Sequence, residues 1–466
     1  MLSETDTSAS SHGGKPRDPQ WAWAPFAPDA KRPWDLRLAG HLLRRAGFGA
    51  TWRELQDALR DGPERTVARL LQPKADVAAF NRSYDEYEAD VDPESESTDS
   101  VRNWWLKRMI ETPHPLQEKL TLFWQNHFVI SRARGTHAAS MAKQLQFVRA
   151  HALGRYGELV DGVVHGPAAL VTMDGATNRK SQPSLAFAKD FLERLTVGPG
   201  HFSQTDVRGI ARAFSGMMVV HNRLRFMDHE RDGSASKLFG REGVWNSHEA
   251  VKIAAEQPSV APRIVTKLYR WLVSETTGPS DDLIAPLSES FAKDYDVAKL
   301  VSTILRSNIF FSPSAYRQKV KSPVEFAVGI VRGMEANVSP EPLGQALAEM
   351  GQDLCHPPTL DGWAGGAAWI TQTTLIRRSN LAWAMLSGAA PYGEKINPGS
   401  VAKKHESASP EKAVRFFCDL FVQGDLGEPA RRQLRETLSN AGSGDPASEI
   451  RRLAQAVVTL PESQLA

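Results

Sequence analysis

The chain has 466 residues, with 56 Lys and Arg against 54 Asp and Glu, two cysteines and 41% hydrophobic residues. Hydrophobicity at that level with a net charge of +2 excludes a disordered chain, and no apolar run reaches the roughly 18 residues a membrane helix needs. Two cysteines cannot build a disulfide framework or a four-cysteine zinc site, and the balanced charge gives no field that dictates a nucleic-acid partner. A soluble globular protein is expected, long enough for one large domain or up to about three.

Residues 1–33, with five prolines and the pair Trp21 and Trp23, predict an extended arm that wraps the surface and buries its aromatic rings. The polar N-terminus lacks the basic head and apolar middle of a secretory signal, and no apolar run follows Arg44-Arg45, so the sequence predicts a cytoplasmic protein. Cys355 and Cys418 are then reduced thiols acting as small core residues. Helical patterning starts at His41, and Thr51 with Glu54 has capping-box spacing. Residues 85–100 hold eight acids and no base, a pattern of a solvated loop; the sharper alternative is an acidic metal-binding loop, although EF-hand spacing is absent.

From Val101 onward helices dominate. Thr112-Pro113 has the form of a helix start, and Ser203 with Asp206 that of a second capping box. SHEAVKIAAEQ, VAPRIVTKLYRWLV and LIAPLSESFAKDYDVAKLVSTILRSN repeat apolar residues at three- and four-residue spacing. VVHNRLRF (219–226) is the best candidate for a short strand or hairpin. Residues 388–410 are rich in turn formers, and 411–466 return to helical patterning with a polar break at 440–446. The expected fold is mainly α, with few or no short strands: a main helical domain over 34–387, a loop, and a C-terminal helical subregion.

Several polar residues stand out against this background. His127 falls in the apolar stripe formed by Leu116, Leu120 and Phe123, either as a satisfied core group or as a desolvated base or metal ligand. Asn126 points away from it on an intact helix. In MDGATNRK, Asp174 and Asn178 suit a loop that binds an anion or orders a metal, or a turn that bonds its own backbone. On the helix 185–195, Asp190 and Glu193 share the polar side, with His201 beyond the Gly-Pro-Gly stop. Such a set can divide acid and base roles, or can be a solvated face. FMDHERDGSASKLFG (226–240) offers His229 and Lys237 in a polar loop. HPPTLDGWAGG carries Trp363 and leads into a helix bearing Arg377, a combination suited to stacking and binding a sugar or to a rigid packing turn. No GxSxG elbow, nucleotide-binding glycine loop or CxxC pair is present.

Taken in order, HLLRRAGFG (41–49), PLQEKLTLFWQNHF (115–128), MDGATNRK (173–180), FAKDFLERLTVGPGHFSQTDV (187–207), DHERDGSASKLFG (228–240) and the PPTLDGWAGGAAWI…RRSN region (357–380) resemble the bacterial family known as domain of unknown function 1800, over about His41 to Leu386. The resemblance implies a mainly α-helical protein and points to His127, Asp174, Asn178, Glu193, His201, His229 and Lys237. Many relatives look exported, and their genes often neighbour a sulfatase-like family, which implies carbohydrate-related work. This chain departs from the family pattern at Lys189-Asp190, at Ala186 and at Gln125. The expectation is a hydrolase or carbohydrate-related enzyme. His127, Asp174, Asp190, Glu193 and His201 would be its catalytic groups, and Asn178, His229, Lys237, Trp363 and Arg377 would bind substrate. A divalent metal is a candidate cofactor, the partners are unknown, and no membrane insertion is expected. The alternative is a non-catalytic helical scaffold in which the same residues form a buried polar network.

Overall fold

Helix starts follow the capping signals of the sequence. The Thr51/Glu54 and Ser203/Asp206 boxes both form, each side chain accepting from the other residue's backbone N–H. The same reciprocal cap opens the helices Ser247–Ala255 and Pro323–Gly333. The computed structural model describes residues 18–73, 77–88, 97–130, 136–439 and 445–466, and among these 22 α-helices accompany two two-stranded antiparallel sheets. The fold is mainly α. One contiguous hydrophobic cluster runs from Ala22 to Leu460.

The predicted hairpin forms between Met217–Val220 and Arg223–Phe226. Its turn residues His221 and Asn222 both have positive φ, the backbone of a type I′ turn that matches strand twist. A second hairpin, Ser236–Leu238 with Arg241–Gly243, lies in the segment that the sequence suggested was a polar loop. It turns at Phe239 and Gly240, and the Phe239 N–H donates to the Asp206 carboxylate at 2.6 Å. The helix expected to open at Thr112-Pro113 begins instead at Pro115. Thr112 Oγ1 accepts from the His114 N–H at 3.0 Å, and this turn delays the helix.

The part of the N-terminal arm within the described residues includes a short helix, Pro19–Trp23, and Pro25 then pairs with Ser307. Trp23 Nε1 donates to the Leu283 carbonyl at 2.6 Å, so the aromatic residues do anchor this segment. Residues 1–17 lie outside the described residues, as do 89–96 of the acidic stretch and 440–444 of the polar break. Residues 85–88 end the helix Val77–Glu88, and Asp99 starts the next. The expected 388–410 loop contains the helix Pro398–Lys404. The helices Pro410–Val422 and Pro446–Thr459 pack on each other; the first also meets Leu36–Arg45 and the second Gln372–Leu386. Leu465 pairs with Val320, and the Ala466 N–H donates to the Lys319 carbonyl at 2.8 Å. No described helix is long and apolar enough to cross a membrane.

Two buried carboxylates hold the helix Pro115–His127 in place. Glu118 accepts from Arg108 Nε at 3.2 Å, Arg149 Nε at 2.5 Å and Trp105 Nε1 at 3.1 Å. One residue on, Lys119 forms an ion pair with Glu325 of Pro323–Gly333, and Lys319 Nζ reaches the same carboxylate at 2.6 Å. Buried charges satisfied this fully fix helix positions. They set the orientation of His127 two turns further along.

Candidate active site

His127 ends its helix with both ring nitrogens engaged. Nε2 lies 3.2 Å from the Leu195 carbonyl and 3.4 Å from the Tyr156 hydroxyl, and Nδ1 lies 2.7 Å from Lys267 Nζ. A carbonyl only accepts, so Nε2 carries the proton. Nδ1 then offers its lone pair to Lys267. Tyr156 donates to the same Leu195 oxygen.

That oxygen is available for a local reason. Leu185–Asp190 runs into a π-helical turn, Phe191–Leu195, with Thr196 N–H reaching back to the Phe191 carbonyl at 3.1 Å. In a continuing α-helix the Leu195 carbonyl would accept from residue 199, but Pro199 has no N–H. The Arg194 carbonyl is likewise taken by Arg263 Nη2 at 2.8 Å. Gly198, at φ +87°, admits that arginine: a Cβ there would lie 2.4 Å from Arg263 Nη1.

Lys267 comes from Val260–Leu272, a strongly amphipathic helix. Burial, reinforced by the Arg263 charge and only partly offset by Asp361, lowers its ammonium to about 7. Burial and the Lys267 and Arg263 charges hold His127 well below the usual imidazole range. Both groups are therefore available in neutral form near pH 7, which base chemistry requires.

The pair opens on a cavity of about 300 Å³ lined by Phe123, Asn126, Trp271, Glu275 and the loop 361–366. Burial raises the Glu275 carboxyl above the usual range, against the pull of Lys319. Glu275 Oε2, Trp271 Nε1 and Trp363 Nε1 are buried without a hydrogen-bond partner. These three atoms belong to residues that line the cavity, and buried polar groups left without a protein partner are commonly completed by water.

Asn126 holds the loop. Its Oδ1 accepts from the Trp363 N–H at 2.7 Å and its Nδ2 donates to the Trp363 carbonyl at 3.4 Å. Gly362, at φ +81°, makes this possible, since a Cβ would lie 2.0 Å from Asn126 Oδ1. Asn126 and His127 point in different directions on the helix, as expected, yet both border one cavity.

Of the residues proposed from sequence, His127 and Trp363 line the cavity. Asp190 reaches its rim indirectly: Arg194 bonds Asp190 at 3.0 Å and Asp361 at 2.5 Å. Glu193 faces Lys189 at 3.8 Å, and His201 is exposed in the turn beyond Gly200. Asp174 and Asn178 cap Leu185–Asp190 through Ser184: its Oγ donates to the Asp174 carbonyl at 2.9 Å and its N–H to Asn178 Oδ1 at 3.0 Å. Asn178 is buried, and its Nδ2 donates to the Ala211 carbonyl at 3.2 Å. His229 is exposed on a 3-10 turn, Lys237 is exposed on the second hairpin 4.0 Å from Glu242, and Arg377 is half-buried on Gln372–Leu386. Thus His127 and Trp363 meet at one cavity, Asp190 stands behind its rim, and the Asp174–Asn178 segment packs against the first hairpin, with Asn178 N–H donating to the Met217 carbonyl at 3.1 Å.

For a divalent metal, the donors at the cavity fit poorly, since both His127 nitrogens and Asp361 already bond protein cations or carbonyls. Sequence reasoning missed Lys267, Glu275, Tyr156 and the Leu195 carbonyl. Pro199 four residues after Leu195 and Trp271 four after Lys267 were the only local signals.

Fold and cavity together define a mainly α-helical protein with a polar cavity at a helix end. The chain belongs to the family described as protein of unknown function (DUF1800), whose model matches residues 41–465. The match passes Leu386 and takes in the C-terminal helices. No curated protein and no solved structure matches the chain.

Proposed function

We propose that the protein is an enzyme, a hydrolase acting on a carbohydrate-like substrate, with its chemistry in the His127–Lys267 cavity. The observation that carries this reading is the 2.7 Å contact between Lys267 Nζ and His127 Nδ1 inside a cavity of about 300 Å³. A lysine lowered to about 7 is a base matched to neutral pH. His127 orients it through Nδ1. In hydrolysis, Lys267 takes a proton from the attacking water and Glu275, whose proton affinity burial raises, gives one to the leaving oxygen. Trp271 and Trp363 line the cavity with indole surface against which a sugar ring packs.

A second reading, a helical scaffold, is favoured by one observation: His127 is satisfied entirely by protein groups, as a packing residue would be. The test is amine labelling with trinitrobenzenesulfonate as a function of pH, alongside turnover of a panel of aryl glycosides and aryl esters. The enzyme reading expects one lysine reacting with a midpoint near 7, absent in Lys267→Met, and turnover that disappears in the same variant without loss of fold. A Lys267 midpoint near the ordinary 10, with no turnover, supports the scaffold.

A further inference from the structure

A second group of chemically competent side chains lies outside this cavity. Asp161 sits in the helix Tyr156–Val164, His165 caps that helix, and His248 occupies the first turn of Ser247–Ala255. His248 Nδ1 is 2.9 Å from each Asp161 carboxylate oxygen, and His165 Nδ1 is 3.4 Å from Oδ1. One donor atom from each residue lies within 4.8 Å of the other two, and this is the group among the described residues with that property.

We propose that Asp161, His165 and His248 form a binding site for a divalent transition metal of the zinc class. Ligands at about 2.0–2.1 Å from a tetrahedral ion stand roughly 3.3 Å from each other. The two Asp161–imidazole separations bracket that value. Two imidazoles and one carboxylate are a borderline-soft donor set that suits zinc or cobalt and not calcium or magnesium. A ligating histidine usually donates its other ring N–H to a neighbouring oxygen. His165 has that partner, because its Nε2 lies 2.8 Å from Ser247 Oγ.

Loading requires two local changes. His165 Nδ1 gives up its bond to the Asp161 carbonyl, now 2.7 Å. The imidazole rings, stacked at 4.0 Å, must also splay until both Nδ1 lone pairs point at one ion. His248 can swing because its side chain is 67% exposed, whereas His165 is held at 13%. Three protein ligands leave a fourth position for water, and the bound ion would pin Tyr156–Val164 to Ser247–Ala255. The first of these helices also supplies Tyr156 to the His127 site, so the metal would stiffen the wall behind it.

The test is calorimetric titration of the tag-free, chelator-treated full chain with zinc alone, with visible absorption of the cobalt-loaded protein as a second readout. The expected result is one equivalent of zinc, a melting temperature that rises with zinc concentration, and tetrahedral cobalt bands. In His248→Ala the affinity should fall at least tenfold while the metal-free melting temperature stays that of the parent, because His248 is on the surface. Ser247→Ala keeps all three ligands and should weaken binding less. No zinc binding by the parent chain, or binding that His248→Ala and Asp161→Asn leave unchanged, overturns the proposal.

Discussion

Glu325 and Glu275 are glutamates shielded from solvent, and they titrate in opposite directions. Burial alone would raise both. At Glu325 the ammonium groups of Lys119 and Lys319 outweigh it and hold the carboxyl well below the usual range. At Glu275 burial prevails and the carboxyl rises. The difference lies in pairing. One Glu325 oxygen takes Lys119 and Lys319, and the other accepts from the Ser322 N–H at 2.7 Å. Glu275 Oε2 faces no donor. The two regions thus separate roles that residue type alone cannot separate: complete pairing locks helices together, and incomplete pairing leaves groups able to exchange protons.

The largest expected effect comes from removing the paired carboxylate. Glu325→Ala strands Lys119 and Lys319 in the core and should cost about 3–5 kcal/mol, read as a lowered denaturant midpoint. An effect under 1 kcal/mol would break the comparison.

Lys267 sharpens it from the other side. Its folded-state value of about 7 lies below the unfolded value of about 10.4. Between these the unfolded chain binds more protons than the native one, so stability rises with pH from about 7 to about 10, then levels off. The gain should be on the order of 2–4 kcal/mol. Lys267→Met should flatten this part of the stability profile and be more stable than the parent at pH 7. His127, also lowered by burial, contributes stability that is lost as pH falls below about 6.5.

Gly362→Ala forces a Cβ against Asn126 Oδ1 at a positive φ, and should cost about 1–3 kcal/mol. Tryptophan emission should shift as Trp363 loses its backbone bond to Asn126. The smallest effect on folding is expected from Glu275→Gln. A neutral isostere replaces a carboxyl whose charged form burial disfavours, so the denaturant midpoint should move by less than about 1 kcal/mol while turnover falls. A large loss of stability would mean that the charged carboxylate of Glu275 supports the fold.

The readable part of this protein was the part governed by neighbours in sequence. Capping boxes at Thr51 and Ser203, the hairpin at His221-Asn222 and the three- and four-residue apolar spacing each depend on residues within one turn of each other, and each formed. The placement of His127 on the buried stripe was legible for the same reason. The second hairpin was not, because its strands are short and polar and are held by Asp206 from another element. The start at Pro115 was missed because Thr112 caps a turn and not a helix.

By itself the sequence determined that this is a helical chain, where the helices capped by Thr51 and Ser203 begin, and that His127 and Trp363 are set apart from a bland surface. Local hydrogen bonding and hydrophobic periodicity act over a few residues and need no fold. Only the tertiary structure decided that Lys267, 140 residues from His127 along the chain, meets it at 2.7 Å, and that Glu275 keeps one oxygen without a partner where Glu325 does not. Proton affinity in a core is set by burial and by charges brought together across the chain, and neither quantity exists until the helices have packed.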